Sequence, residues 1–231
     1  MKTLYDLHEG GTFELGGKEY EILSKVAHGG MALVYKARLI DGAEKKYCII
    51  KEFFPKSYHM GRGTENNENE VTYLSDDKKE ITGLKGRVWR EYEIAQALRH
   101  DEKLQNERAF FFQYEKPVEK NNTLYTVIQT EHGEMLSERI ENRYFEDMNF
   151  AVICDCILNI LTALEPLHNK KPLSYLHLDI APDNIHFSEL GIARLIDYNS
   201  AYCTGEPLED FVFSNKEGYS AEELKRGFKA D

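Results

Sequence analysis

Basic side chains are scarce relative to acidic ones. The 231-residue chain carries 29 Lys and Arg against 40 Asp and Glu, a formal net charge of −11. So acidic a balance argues against general binding to nucleic acid or to anionic membranes, and it leaves room for a local basic pocket. No apolar run opens the chain. MKTLYDLHEGGTFELGG lacks the core of a secretory signal, so the expected compartment is the cytoplasm. Long hydrophobic runs are missing later as well. The most apolar stretch, FAVICDCILNILTALEPLH, contains Asp155, Asn159 and Glu165 and reads as too short and too interrupted to span a bilayer. The cysteines (Cys48, Cys154, Cys156 and Cys203) show no zinc or redox spacing. Cys154 and Cys156 would point to different faces of a helix, so reduced core or surface thiols are expected. There is no internal repeat, and no low-complexity segment beyond a polar loop over residues 55–86.

What is present is ordinary for a soluble globular chain: 42% hydrophobic and 30% charged residues, enough for one or two domains. YEILSKVA and LVYKARLI flank a turn at HGGM, and KYCIIKEFF follows, giving three strands over residues 20–54. Residues 55–86, with GRGTENNENE, read as a long polar insertion. A helix is expected at about 87–100. Two more strands, AFFFQYEKPV and TLYTVIQ, are joined by a turn at Asn121 and Asn122. HGEMLSERIENRYF reads as a linker and short helix. Phe150, Ile153, Ile157, Ile160, Leu164 and Leu167 recur every three to four residues and mark a core helix over about 148–168. Short strands around IHF and ARLI follow, and the tail after Asp197 has little periodicity. The fold class is therefore α+β in two lobes, strand-rich over 1–131 and helical over 132–231.

Five polar residues stand out. Lys51 ends the apolar strand CIIK, where a charge is expensive to bury unpaired. Glu91 shares a helix face with Ala95 and Leu98, and a carboxylate there wants a cation, for which Lys51 is the candidate. Asp179 precedes Asn184 by five residues in HLDIAPDN, and Asp197 closes the apolar run RLI.

In this order and spacing these residues resemble the eukaryotic-type protein kinase fold, most nearly its bacterial serine/threonine members. HGGMALVYKA resembles the glycine-rich loop, and IIKEFFP the strand lysine with an aromatic-proline tail. HLDIAPDNI resembles the catalytic loop, LIDYN the metal-binding D-F-G, and GYSAEE the end of the activation segment. The resemblance covers about residues 8–228 and implies a β-rich N-lobe with one helix and an incomplete helical C-lobe. It also implies ATP and Mg²⁺ as cofactors and a protein as substrate. Lys51, held by Glu91, would contact the α- and β-phosphates. Backbone N–H groups of Gly29, Gly30, Met31 and Ala32 would cover the phosphates, with Ala27, His28 and Val34 beside them. Asn184 and Asp197 would hold Mg²⁺. Asp179 would accept the proton of the substrate hydroxyl. Gln129 to Glu131 would be the hinge that meets adenine, with Ile128 as gatekeeper.

The chain departs from the family at several of these positions. Ala27 and Ala32 replace the first and third loop glycines. Ile49 and His186 take the places above and below the adenine. Tyr198-Asn199 replaces Phe-Gly, and Leu178 replaces the arginine that pairs with a phosphorylated activation loop. Ala181 stands where a lysine would face the γ-phosphate, and Lys216 occupies a nearby position from which an ammonium could reach back towards Asp179. Only eight residues follow Glu223, where the family continues for several helices, so the chain is a fragment of a longer kinase, or a partner covers that face, or it is a naturally truncated remnant. The face of the 148–168 helix with Phe150, Ile153, Ile157, Ile160, Leu161 and Leu164 is expected to be partly uncovered, with self-association or a partner over it. Three readings follow: a Mg²⁺-ATP-dependent serine/threonine kinase or its catalytic part, weak or inactive in isolation; a pseudokinase scaffold; and a small-molecule phosphotransferase sharing the H-x-D-x-x-x-x-N logic.

Overall fold

The computed structural model describes residues 7–41, 46–63, 67–73, 78–105, 108–142, 150–169, 174–206 and 216–221. Two compact units result: Met1–Tyr92 with Gln113–Glu131, and Glu93–Phe112 with His132–Asp231. Relative to a division at residue 131, the stretch 93–112 groups with the second unit.

The first unit is built on an antiparallel sheet of strands β1 (Thr12–Leu15), β2 (Lys18–His28), β3 (Ala32–Leu39), β4 (Lys46–Phe53), β7 (Gln113–Tyr114), β8 (Val118–Lys120) and β9 (Thr123–Gln129). Its order is β1-β2-β3-β4-β9-β7, with β8 also paired to β9. Alternating apolar residues explain the pleat. Tyr20, Ile22, Leu33, Tyr35, Ile50, Phe54, Tyr125 and Val127 are buried together in one core cluster. Strand β1 lies ahead of the expected first strand. Its signal was Gly16-Gly17, both at positive φ (60° and 78°), the conformation a two-residue hairpin turn demands. The expected turn at Asn121 and Asn122 is present, with φ of 52° and 61°. AFFFQYEKPV is not one strand. A 3-10 turn (Arg108–Phe110) precedes β7, and Pro117, which has no N–H for a ladder, separates β7 from β8.

The polar insertion contains a hairpin, β5 (His59–Arg62) with β6 (Val71–Tyr73). Helix α1 runs Lys78–Arg99, so it begins inside the segment read as loop. Gly83 and Gly86 hid it, since glycine is a poor helix former. Ile81, Leu84 and Val88 already carried the helical spacing, and all three belong to a cluster with Phe53 and Leu124.

In the second unit, β10 (Gly133–Met135), β12 (Ile185–Ser188) and β13 (Ala193–Leu195) form a three-stranded sheet, and β11 (Tyr175–Leu176) pairs with β14 (Tyr202–Cys203). Short α2 (Leu136–Glu141) follows β10, its first turn tied by the Met135 N–H to the Glu138 carboxylate at 2.8 Å. Helix α3 (Phe150–Asn169) buries the stripe Cys156, Ile160, Ala163, Leu164 and Leu167 and packs against β11 and β13. The face expected to be uncovered therefore splits. Ile160 and Leu164 are core, whereas Phe150, Ile157, Leu158 and Leu161 are exposed. Contrary to the reading from its interruptions, α3 is long and apolar enough to cross a bilayer by length and composition. Its buried stripe is that of a helix packed on a sheet. Residues 148 and 149 of the expected helix lie outside the described residues.

Candidate active site

The first unit presents a lysine and a loop. Strand β4 places Lys51 opposite Thr126 of β9 and beside Val34 of β3. The Lys51 ammonium donates to both carboxylate oxygens of Glu91 at 2.9 Å, and the two residues are 5% and 1% exposed. A buried ion pair of this kind survives because both charges are matched; either one alone would be costly. Ala95 and Leu98, on the same helical face as Glu91, are also buried.

The loop between β2 and β3 closes with Ala27 opposite Val34, His28 opposite Leu33, and the Gly29 N–H on the Ala32 carbonyl at 2.9 Å. None of residues 27–32 has a positive φ, so alanine at 27 and 32 costs the loop no conformational freedom. Gly29 and Gly30 are exposed, and a Cβ at Gly30 would meet nothing within 4 Å. The N–H groups of Gly30 and Met31 make no hydrogen bond among the described residues. Two unspent peptide donors on an exposed loop suit an anion such as a phosphate.

Ile49 pairs with Ile128 and Cys48 with Gln129 across β4 and β9, with Ile49 and Ile128 both buried. The Thr130 N–H donates to Tyr47 at 3.0 Å, which extends the pairing past β9. Glu131 is the last residue of this unit. The Gln129 side chain donates to Glu115 at 3.0 Å, and Lys18 reaches the same carboxylate at 2.7 Å. Burial, and then the Glu115 charge, push the Cys48 thiol up to about 12.

The second unit presents the carboxylates. The loop after β11 turns through Leu178, held at φ 60°, a strained conformation for a leucine. His177 is buried, its ring 5.4 Å from that of Tyr198, and its Nδ1 accepts the Asp179 N–H at 3.3 Å. Asn184 ends a 3-10 turn (Pro182–Asn184), and its amide nitrogen donates to the Asp179 carbonyl and to Asp179 Oδ2, both at 2.9 Å. Asp179 Oδ1 is buried and has no hydrogen-bond partner among the described residues. With its nitrogen spent on Asp179, Asn184 offers its amide oxygen to any further ligand. The Ile196 N–H donates to the Asn184 carbonyl at 3.0 Å, which sets Asp197 next along the chain. Asp197 adopts φ 69° and caps the turn Tyr198–Ser200 through the Asn199 N–H at 3.3 Å. His186 is buried beside Met135 and Arg194 on the three-stranded sheet, its ring edge-on to Phe112 at 5.3 Å.

Lys216 bonds Asp183 with its ammonium, not Asp179. Its main chain is held as well: its N–H donates to Ser220 Oγ at 2.7 Å, and its carbonyl accepts from Tyr219 and Ser220. Of the GYSAEE segment, Glu222 and Glu223 lie outside the described residues.

The oxygen donors of the second unit suit a hard cation. Asn184 and Asp197 supply hard oxygen donors, and among the described residues no group of three or more His, Cys, Asp or Glu could hold a metal by itself. Mg²⁺ commonly takes one or two protein oxygens and completes its shell with phosphates and water.

Sequence reasoning missed two charged groups. Arg62, on the insertion hairpin, donates to Glu52 Oε2 at 2.5 Å with both side chains buried, and Tyr125 and Tyr35 donate to the same carboxylate at 2.6 and 3.3 Å. Burial by itself would lower the Arg62 pKa, but the Glu52 hydrogen bond and charge, with the Tyr125 and Tyr35 phenols, raise it overall. Asp183 was the second, and its only signal was its place beside Asn184.

No protein-family model matches the chain. It is 33% identical over 162 residues, 68% of its length, to the striated muscle preferentially expressed protein kinase of Danio rerio. It is 30% identical over 163 residues, 69% of its length, to the probable serine/threonine-protein kinase nek2 of Dictyostelium discoideum. The chain spans 5% and 36% of the lengths of these relatives. The solved apo form of PpkA-294 superposes with a TM-score of 0.65 at 23% identity, over 84% of this chain and 62% of that one.

Proposed function

We propose that this chain, which has the protein kinase fold and resembles serine/threonine protein kinases, is the catalytic part of a Mg²⁺-ATP-dependent protein kinase acting on serine or threonine hydroxyls. The observation that carries the reading is the buried Lys51–Glu91 pair, an ammonium fixed at both carboxylate oxygens. In this reading Lys51 binds the α- and β-phosphates, and the Gly30 and Met31 N–H groups cover the phosphate chain. Asn184 and Asp197 hold Mg²⁺, which when bound neutralises charge on the phosphates. Asp179, steadied by Asn184, takes the proton of the acceptor hydroxyl through a carboxylate whose Oδ1 has no other partner among the described residues. Ile49, Ile128, Gln129, Glu131 and His186 belong to the adenine side. Lys216 would replace the charge lost at Ala181 only on leaving Asp183, which holds its ammonium.

A second reading, a kinase-fold scaffold that works by binding alone, is favoured by one observation. Ala181 is buried beside the catalytic turn, and Lys216 is engaged by Asp183. Nucleotide binding and turnover separate the cases. Mg²⁺-ATP at millimolar concentration should raise the melting temperature of the wild type, since a ligand stabilises the state it binds, and Lys51→Met should abolish that rise. No shift in the wild type would refute nucleotide binding. A shift without transfer to a peptide hydroxyl would favour the scaffold.

A further inference from the structure

The K-E-F-F-P motif continues past the nucleotide-directed lysine, and its tail makes contacts that phosphoryl transfer does not explain. The last registered pair between β3 and β4 is Ala32 opposite Phe53. Two more backbone hydrogen bonds extend the pairing into the loop: the Phe54 N–H donates to the Met31 carbonyl at 2.9 Å, and the Lys56 N–H to the Gly30 carbonyl at 3.0 Å. Pro55 lies buried between them, and its carbonyl accepts the Tyr58 N–H at 3.1 Å, which closes a turn. Proline presets the bend and has no N–H of its own to satisfy.

Met31 and Tyr58 pack on the cluster that holds Phe53, Leu84 and Val88. Leu84, Val88 and Glu91 follow one another on α1 at spacings of four and three, on one helical face. Loop tip, turn and the helix bearing Glu91 therefore share one apolar cluster, all within the first unit. The loop's glycines do not use left-handed backbone, so its posture is imposed by these contacts. Its carbonyls are bound from one side, while the Gly30 and Met31 N–H groups stay unspent.

We propose that Phe54–Tyr58 is a latch that presets this loop for the phosphate chain of a nucleoside triphosphate. The Lys56 main-chain N–H is its positioning group, and Met31 links it to the helix that carries Glu91. The ligand assignment rests on the nucleotide reading above; the latch itself does not. Lys56→Pro removes that donor and also sets a ring methylene against the Gly30 carbonyl and restrains Pro55, whereas Lys56→Ala keeps the donor and trims only an exposed side chain. Losing one net backbone hydrogen bond corresponds to about fivefold.

The test compares the full chain with both variants by hydrogen exchange and by titration with Mg²⁺-ATP and with adenosine. Expected for Lys56→Pro are about fivefold faster exchange over residues 28–34, an about fivefold weaker Kd for Mg²⁺-ATP and an unchanged Kd for adenosine, with Lys56→Ala matching the wild type. Equal exchange in Lys56→Pro and wild type, the same acceleration in Lys56→Ala, or equal weakening for adenosine and ATP would overturn the proposal. If the wild type binds no Mg²⁺-ATP, the nucleotide reading fails and the exchange arm still decides the latch. Should Lys56→Pro not fold, Met31→Ala replaces it. Faster exchange in both 28–34 and 84–92 supports the link, and exchange unchanged in either segment overturns it.

Discussion

Replacing Arg62 with methionine tests how the insertion hairpin is attached to the sheet. Arg62 and Glu52 have side chains 2% and 0% exposed, and Arg62 also donates to the Asn69 carbonyl at 3.0 Å and lies 5.4 Å over the Phe54 ring. Methionine matches the length of the stem but leaves the Glu52 carboxylate buried with, among the described residues, two phenol donors. Removing one partner of a buried pair costs about 3–5 kcal/mol. For a chain of this size that is a fall of roughly 6–20 °C in Tm, measurable by circular dichroism. Arg62→Met combined with Glu52→Gln should recover most of the loss, because the amide oxygen still accepts from Tyr125. A single variant within about 1 kcal/mol of wild type would refute the reasoning, as would a double variant no more stable than the single one.

Three further outcomes are expected. In a chain that transfers phosphate, Lys216→Met should lower kcat more than about tenfold with little change in the KM for ATP, measured by steady-state kinetics; an unchanged kcat would remove Lys216 from the reaction. Gly133→Ala should destabilise the second unit by about 1–3 kcal/mol in urea titration, because the new methyl would clash with the Phe187 carbonyl and come within 2.8 Å of the His186 ring and 2.9 Å of Ser188 Cα. Exposed Phe150, Ile157, Leu158 and Leu161 should drive association at high concentration, and Leu161→Glu should weaken it in sedimentation velocity; a wild type monomeric throughout would count against this.

The sequence made the sheet and its chemistry legible where side chains alternate or where charge sits on an apolar element. Lys51 and Glu91 could be paired on paper because each would be costly to bury alone, and the structure joins them. The Asn121-Asn122 turn was readable for a local reason, the tolerance of asparagine for positive φ. The β1–β2 hairpin carries an equally local signal in Gly16-Gly17. The start of helix α1 is masked in sequence by Gly83 and Gly86, although Ile81, Leu84 and Val88 keep the apolar spacing of a helix. Other features depend on where the chain returns after a long excursion. Arg62 meets Glu52 only once a hairpin forms inside a polar segment, and Lys216 meets Asp183 from 33 residues away. Neither is written in a periodicity. The division of α3 into a buried and an exposed stripe likewise depends on the strands it packs against, since nearly all its apolar residues look alike in sequence.

The hydrogen bonds around Asn184 also bear on the chemical ageing of the loop. Asparagine deamidates when the backbone nitrogen of the following residue attacks the side-chain carbonyl carbon and expels ammonia, and water then opens the resulting cyclic imide to a carboxylate. Here the product would set a second negative charge against Asp179 Oδ2, where an N–H donor now lies at 2.9 Å. The attacking nitrogen belongs to Ile185, whose N–H is engaged by the Pro182 carbonyl and whose branched side chain crowds the approach. The amide under attack is itself held by two bonds to Asp179. The contacts that steady the turn thus slow the one spontaneous reaction that would convert it from a donor–acceptor pair into two repelling acids. Its lifetime in storage becomes a property of the fold, lost on denaturation.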